Sequence, residues 1–190
     1  MRKIIFSILA LSMFVSINAQ FKASKDGIIT ESGDDFYVVS IEGKTAGELF
    51  RSVNSYILSK FRNPDAVSNK ADNSMINMHG VFEKAFPCKK WMGTHYADVD
   101  LNLIMYFKDG KLRFDPPAVN KMICETYKPS GHACEYSFSG GMGGMMGESS
   151  LFKKNGDIKN KLAVEGINEF INKLVADIIE YAKQEKNDDW

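Results

Sequence analysis

Between Tyr96 and Lys108 every second residue is apolar, a pattern typical of a strand that buries one face and exposes the other. The apolar set is Ala97, Val99, Leu101, Leu103, Met105 and Phe107. Asp109-Gly110 follows directly and favours a two-residue hairpin turn into a further strand at 111–114. With a second alternating run at 74–83, this pattern predicts an antiparallel sheet with one apolar face that another layer must cover.

A helix is predicted at 45–62, immediately before this sheet. Thr45 and Glu48 have the spacing of a capping box, in which each side chain accepts a hydrogen bond from the other residue's backbone N–H. Apolar residues then recur every three or four positions until Asn63-Pro64 ends the pattern. A short strand at 36–41 precedes the helix, because that stretch is rich in aromatic and β-branched residues.

A longer helix is predicted at 157–185, with Asp157 as its N-cap and residues 186–190 as a polar tail. Its apolar stripe is wider than a coiled-coil seam, which favours packing on a sheet. The order of elements predicts a single α+β domain at 36–185, in which an antiparallel sheet carries both helices on one face.

The first 19 residues are typical of a secretory signal peptide. Arg2 and Lys3 precede an apolar run of fourteen residues, and Ala19 provides a small residue at the cleavage position before Gln20. A membrane anchor needs roughly 20 apolar residues, so the run is too short to span a bilayer and we predict no membrane span after cleavage. The mature chain is expected to be periplasmic or extracellular, with residues 20–35 as a flexible leader.

Charge gives no support for a nucleic-acid partner. Removal of residues 1–19 leaves 22 basic against 24 acidic residues, a formal net charge of −2. Proteins that bind nucleic acids carry a basic surplus that neutralises phosphates. We therefore predict no nucleic-acid partner, and no pattern specifies an oligomeric state.

Three cysteines, Cys88, Cys124 and Cys134, are expected in an oxidising compartment, so one disulfide and one remaining thiol are predicted. Strands at 122–127 and 132–138 around a short loop would place Cys124 opposite Cys134, which favours that pair. The alternative is a zinc site formed by Cys124, His132 and Cys134, although the Cys-x-x-Cys spacing of structural zinc sites is missing.

A Gly/Met-rich loop is predicted at 139–150. It lacks the Gly-Lys-Ser/Thr of a phosphate-binding loop and the full Gly-x-Gly-x-x-Gly of a dinucleotide site. Met142, Met145 and Met146 could bind Cu(I) through their thioethers, but a mobile surface loop is the favoured interpretation. We predict no cofactor and no metal, and we expect these methionines and Trp91, in a predicted loop at 84–94, to contact a partner.

No hydrolase or metalloprotease motif accompanies the three histidines, so the sequence predicts that the chain is not an enzyme. Asp98 and Asp100 are two positions apart on one strand and therefore share a face. A catalytic role for this pair is the least favoured hypothesis, because a solvated sheet face explains both residues.

Three stretches carry a resemblance to a known family: FYVVSIEGKTAGELF at 36–50, INMHGVF at 76–82 and MYFKDGKLRF at 105–114. They resemble secreted Bacteroidota domains of unknown function in the family numbered 4468 (DUF4468), over about residues 36–115. The resemblance implies a fold like that of the TATA-binding protein (TBP). It implies no activity and no catalytic residue, and a TBP-like fold does not by itself imply DNA binding.

Two functions are compatible with these features. The favoured one is an exported, non-catalytic module that binds an envelope protein or surface component through its sheet or its loops. The alternative is a carrier that holds an apolar small molecule between the sheet and the C-terminal helix. In that arrangement Phe170, Leu174 and Ile178 would face Leu101, Leu103 and Met105.

Overall fold

The computed structural model describes residues 20–90, 93–125, 133–140 and 149–184. Its strands are β1 (Phe21–Ser24), β2 (Gly27–Thr30), β3 (Tyr37–Ser40), β4 (Ser68–Ala71), β5 (Met75–Lys90), β6 (Gly93–Lys108), β7 (Lys111–Phe114), β8 (Ala118–Glu125), β9 (Ala133–Ser139) and β10 (Ser149–Phe152). Its helices are α1 (Ala46–Lys60), α2 (Pro64–Val67) and α3 (Lys161–Lys183). Within these residues no helix is long and apolar enough to cross a membrane.

Eight strands form one sheet around β6, the strand predicted from the long alternating run. β5 pairs with β6 along one edge, while β8 and then β7 pair with its other edge. β4 extends the sheet beyond β5, β3 lies beyond β7, and β9 and β10 lie beyond β8. Every pairing is antiparallel except that of β9 with β10.

Helices α1 and α3 cover one face of this sheet, which confirms the predicted α+β architecture. The capping box is present: Thr45 Oγ1 accepts from the Glu48 N–H at 3.3 Å, and Glu48 Oε2 accepts from the Thr45 N–H at 2.7 Å. Leu101, Leu103 and Met105 are fully buried beneath the helices. The centre of the sheet therefore belongs to a closed apolar core.

Helix α3 begins three residues later than predicted. Its N-cap is Asn160, whose Oδ1 accepts from the Ala163 N–H at 3.2 Å. Asp157, the predicted cap, lies in the preceding turn, where its carbonyl accepts from the Lys153 N–H at 2.8 Å. The next residue, Ile158, forms an isolated bridge with Phe152. These backbone bonds hold 157–158 against β10, so the helix cannot start there.

Close contact between α3 and β5 requires a glycine at position 166. A Cβ added to Gly166 would lie 2.6 Å from Pro87 Cδ and 3.1 Å from Phe86 Cβ. Glycine inside a helix costs about 1 kcal/mol relative to alanine. The close approach of the helix to the strand accounts for its presence.

Residues 20–35 include an ordered hairpin, so the prediction of a flexible leader was wrong. β1 and β2 pair with each other, and β1 packs on α3, where Asn172 binds Gln20 and Phe21 although it lies about 150 residues away in sequence. Its Oδ1 accepts from the Gln20 and Phe21 N–H groups at 2.7 and 3.0 Å, and its Nδ2 donates to the Phe21 carbonyl at 2.8 Å. Four-residue strands are too short to give a clear period, and the hairpin depends on partners that sequence spacing does not indicate.

The predicted loop at 84–94 was also wrong, because most of it belongs to the β5–β6 hairpin. The pairing continues to Lys90 and Gly93, with a register shift between Phe82 and Phe86. Lys84, within this bulge, has a positive φ of 52°. The extra residues of the bulge interrupt the alternation, so the second half of the strand was mistaken for a loop.

The disulfide joins Cys88 to Cys124, and the predicted pairing of Cys124 with Cys134 was wrong. The register that suggested it is present, since Cys124 lies opposite Cys134 on β8 and β9, but Cys134 is a buried free thiol. Cys88 lies on β5, in the segment that the sequence predicts as a loop at 84–94. β5 and β8 flank β6, where Cys88 lies opposite His95 and Cys124 opposite Ala97, so the bridge crosses the middle strand between these positions.

Candidate functional site

The face of the sheet opposite the helices, here called the open face, carries both predicted aspartates. Asp100 Oδ1 lies 2.7 Å from His79 Nε2, an exposed pair in which the ring N–H donates to the carboxylate. Asn120 Nδ2 donates to the same oxygen at 3.1 Å. A register shift between β6 and β8 at Asp100 makes Asn120 an extra residue, which brings its side chain to this network.

Asp98 has a different partner and a structural role. Its Oδ1 accepts from the backbone N–H of Lys84 at 2.7 Å, so it stabilises the bulge of β5. The two aspartates share a face, as predicted, but they do not converge on one group. Among the described residues, no group of three or more His, Cys, Asp or Glu side chains could hold a metal ion.

A cluster of Arg113 and two aromatic rings lies on the same open face, next to β3. The Arg113 guanidinium carbon lies 4.1 Å from the centroid of the Phe36 ring and 4.8 Å from that of Tyr106. Arg113 Nε and Nη2 donate to Asp115 Oδ1 at 2.9 and 2.7 Å. The guanidinium is therefore held in a fixed position between the rings.

Exposed apolar side chains concentrate on the open face. The described residues include seven large apolar or aromatic side chains that are exposed: Ile29, Phe36, Val38, Leu58, Val81, Tyr96 and Ile158. Four of them, Phe36, Val38, Val81 and Tyr96, belong to this face by strand alternation or by contact with Arg113. The surface that no helix covers therefore carries four of the seven exposed large apolar side chains among the described residues.

A second candidate site is a groove of about 500 Å³ between α1, α3 and the bulge of β5, here called the aromatic groove. Its floor consists of Tyr56, Phe61, Phe82, Phe170 and Leu174. The Phe82 ring meets the Phe61 and Phe170 rings edge to face, with centroids 5.7 and 5.3 Å apart. The groove exists because β4 pairs with β5 only as far as Met78 and leaves the following edge uncovered.

Charged side chains surround the aromatic groove. Lys60, Lys84 and Lys173 line it together with Glu83 and Asp177. Lys173 Nζ binds the two Asp177 oxygens at 2.9 and 3.0 Å. Burial, and to a smaller extent the Asp177 carboxylate, raises the pKa of Tyr56 to about 12, so its hydroxyl remains protonated at physiological pH.

A smaller groove of about 370 Å³ lies between β3 and the C-terminal half of α3. Tyr37, Val39 and Ile179 provide most of its apolar lining, and Gln20 lies at its edge. Burial raises the pKa of the Tyr37 hydroxyl.

The predicted partner contacts Trp91, Met142, Met145 and Met146 lie outside the described residues, as does His132 of the alternative zinc site. That zinc site conflicts with the structure because the Cys124 sulfur is bonded to Cys88. The three helix residues predicted to line a carrier chamber lie in two different places. Ile178 is fully buried in the closed core, whereas Phe170 and Leu174 line the aromatic groove. Sequence spacing could not indicate this groove, because its rings come from three separate elements.

No protein-family model matches this sequence, and no curated protein is similar to it. Solved structures with similar folds include a TBP-like protein from Parabacteroides distasonis, with a TM-score of 0.53 and 14% sequence identity over 80% of this chain and 92% of that one. A DUF4468 family protein from Bacteroides ovatus has a TM-score of 0.46 and 10% identity over 80% of this chain and 86% of that one. The first of these likenesses shows a TBP-like fold, which confirms the fold that the sequence resemblance implied.

Proposed function

We propose that this TBP-like chain is an exported, non-catalytic module that binds a protein or another component of the cell envelope through its open face. The observation that carries the proposal is the concentration of four of the seven exposed large apolar side chains on that face. Exposed apolar groups rimmed by polar ones are typical of interaction surfaces.

The composition of the open face supports a macromolecular partner. Aromatic residues and arginine are enriched at protein interfaces, and the Phe36, Tyr106 and Arg113 cluster is already ordered by the Asp115 contact. An ordered cluster loses little conformational freedom on binding. The apolar groups are spread over several strands and therefore suit an extended surface better than a small ligand.

The setting of the His79–Asp100 pair supports a non-catalytic role. The pair is exposed on the sheet and lines neither groove, so water is not excluded from it. Asp98 is engaged by the Lys84 backbone instead of facing His79. We assign the His79, Asp100 and Asn120 network to ordering the centre of the open face.

An exported location is supported by the Cys88–Cys124 disulfide, since disulfides form and persist in oxidising compartments. The predicted signal peptide at 1–19 provides the route of export. Together they support a partner in the cell envelope or outside the cell.

The test is capture of envelope components by the purified mature chain and by variants of it. Val38→Asp and Tyr96→Asp each place a charge on the open face and are expected to abolish capture of the partner. Leu58→Asp is the matched control, because Leu58 is 52% exposed on α1, away from the sheet surface. Equal capture by all three variants would contradict binding through the open face. Val81 also lines the aromatic groove, so a charge there would affect both surfaces.

The second candidate function is a carrier of an apolar small molecule, which the aromatic groove favours. Its volume of about 500 Å³ falls within the range of small-molecule sites, about 300–1,000 Å³. Binding of an apolar dye that Phe170→Asn weakens and Tyr96→Asp leaves unchanged would support this function. Absence of dye binding would leave only the module.

A further inference from the structure

We propose that the aromatic groove binds a single-chain amphiphile with an anionic head group, its chain on the phenylalanine rings and its head among the lysines. This inference rests on the second candidate function, whose ligand it specifies.

Apart from the Tyr56 hydroxyl, the floor of the groove favours an apolar chain. Phe61, Phe82 and Phe170 present ring edges and faces without a hydrogen-bonding group, and Leu174 continues the surface along α3. A charged or strongly polar group placed here would lose its hydration without gaining a partner. The groove volume of about 500 Å³ suits one acyl chain better than a two-chain phospholipid.

The charges around the floor favour an anionic head. Three lysines and two carboxylates line the groove, and Asp177 is already paired with Lys173. Among the described residues Lys60 and Lys84 form no ion pair, and Glu83 is the one lining carboxylate that likewise forms none. Lys60 extends from the last turn of α1 and Lys84 from the bulge of β5, so they approach the groove from two separate elements.

A neutral donor adds to this positive environment. Tyr56 is buried beneath Lys60, whose Nζ lies 5.7 Å from the ring centroid. Since its hydroxyl is protonated, it can donate a hydrogen bond to a carboxylate or phosphate oxygen but offers that oxygen no negative charge.

The geometry disfavours an added β-strand as the occupant, although the edge of β5 is unpaired here. The Phe61 ring covers Gly80 so closely that a Cβ there would lie 3.3 Å from it. The Lys84 N–H, at the bulge, is already bound by Asp98 at 2.7 Å. A peptide strand would therefore meet a blocked and irregular edge, whereas a flexible acyl chain needs no backbone partners.

The experiment measures binding of two fluorescent probes to the mature, disulfide-bonded chain: dansyl-labelled undecanoic acid and its methyl ester. The two share a chain and a fluorophore and differ in the charge of the head. The acid is expected to bind about tenfold more tightly than the ester at low salt, and to lose that advantage in high salt.

Three variants locate the interaction. The double substitution Lys60→Glu with Lys84→Glu should weaken binding of the acid by about tenfold or more and leave the ester unchanged. Lys154→Glu, a charge reversal at an exposed lysine in the turn before α3, is the matched control and should change neither probe. Phe170→Asn should weaken both probes, with circular dichroism used to verify that the variant is folded.

The possible results distinguish the anionic head group, the carrier function and the position of the site. Equal affinity for acid and ester, or an unaltered affinity of the double variant, would overturn the anionic head while the carrier function stands. Binding of neither probe would overturn both the inference and the carrier function, without bearing on the open face. Binding of both probes that Phe170→Asn leaves intact would place the site elsewhere.

Discussion

At the scale of single residues, Cys124 lies between two possible partners. Cys88 is bonded to it across β6, and Cys134 is directly opposite it on β9. Directly opposed residues in an antiparallel pair have Cα atoms about 4.5–5.5 Å apart, within the range that a disulfide can bridge. The choice of Cys88 is therefore a preference between two geometrically possible bonds.

Replacement of Cys88 tests this description. In Cys88→Ser we expect Cys124 to bond to Cys134, so that the oxidised variant has no free thiol, whereas the wild-type chain has one. Cys124→Ser should have two free thiols, and Cys134→Ser should retain the native bond and have none. Thiol titration with non-reducing peptide mapping measures this, and two free thiols in Cys88→Ser would show that the opposed cysteines cannot be bridged.

At the scale of secondary-structure elements, the fit of α3 against β5 depends on the absence of a side chain at Gly166. Gly166→Ala should destabilise the fold by about 1–3 kcal/mol, because a Cβ 2.6 Å from Pro87 forces the helix away from the strand. Gly47→Ala in α1 is the control: its added Cβ meets no atom within 4 Å, so it should stabilise the fold by up to about 1 kcal/mol. Urea unfolding measures both, and an equal gain for the two variants would contradict the close contact.

Elements with a local signal were predictable, and those that depend on distant partners were not. The capping box at Thr45 and the Asp109-Gly110 turn depend on residues a few positions apart, and both α1 and the β6–β7 hairpin are present. The bulge at Lys84 hid the second half of β5, and with it the position of Cys88. β1 and β2 have no such signal, because each has only four residues and β1 is stabilised by Asn168 and Asn172 of α3.

The candidate sites also combine features that local sequence spacing predicts with features that depend on distant partners. Alternation along β6 correctly placed Asp98 and Asp100 on one face, because the direction of a side chain in a strand follows from its position. Their partners were not predictable: register shifts bring Asn120 and Lys84 into place, and His79 reaches Asp100 diagonally across the β5–β6 pairing, whose register the spacing does not fix. The aromatic groove likewise depends on how α1, α3 and β5 meet.

At the scale of the whole molecule, Asn172 joins the first described residues to the last helix. Asn172→Ala would leave the Gln20 and Phe21 N–H groups and the Phe21 carbonyl without this partner, and should cost about 1–3 kcal/mol. The substitution should increase the rate of hydrogen exchange more in residues 20–30 than in β6. Asn69→Ala, at an exposed residue of β4, is the control and should leave hydrogen exchange unchanged. Loss of protection throughout the fold of Asn172→Ala would mean that the hairpin does not unfold separately.

The same contact makes completion of the fold depend on the order in which the chain becomes available. The hairpin that begins the described fold needs α3, whose binding residues are synthesised about 150 residues later. Until α3 emerges, β1 and the buried side chain of Phe21 lack the helix on which they pack, and the sheet lacks part of its cover. Bringing such distant segments together is slow compared with closing local contacts. A nascent chain would therefore complete this hairpin and the cover of its sheet only after α3 has been synthesised.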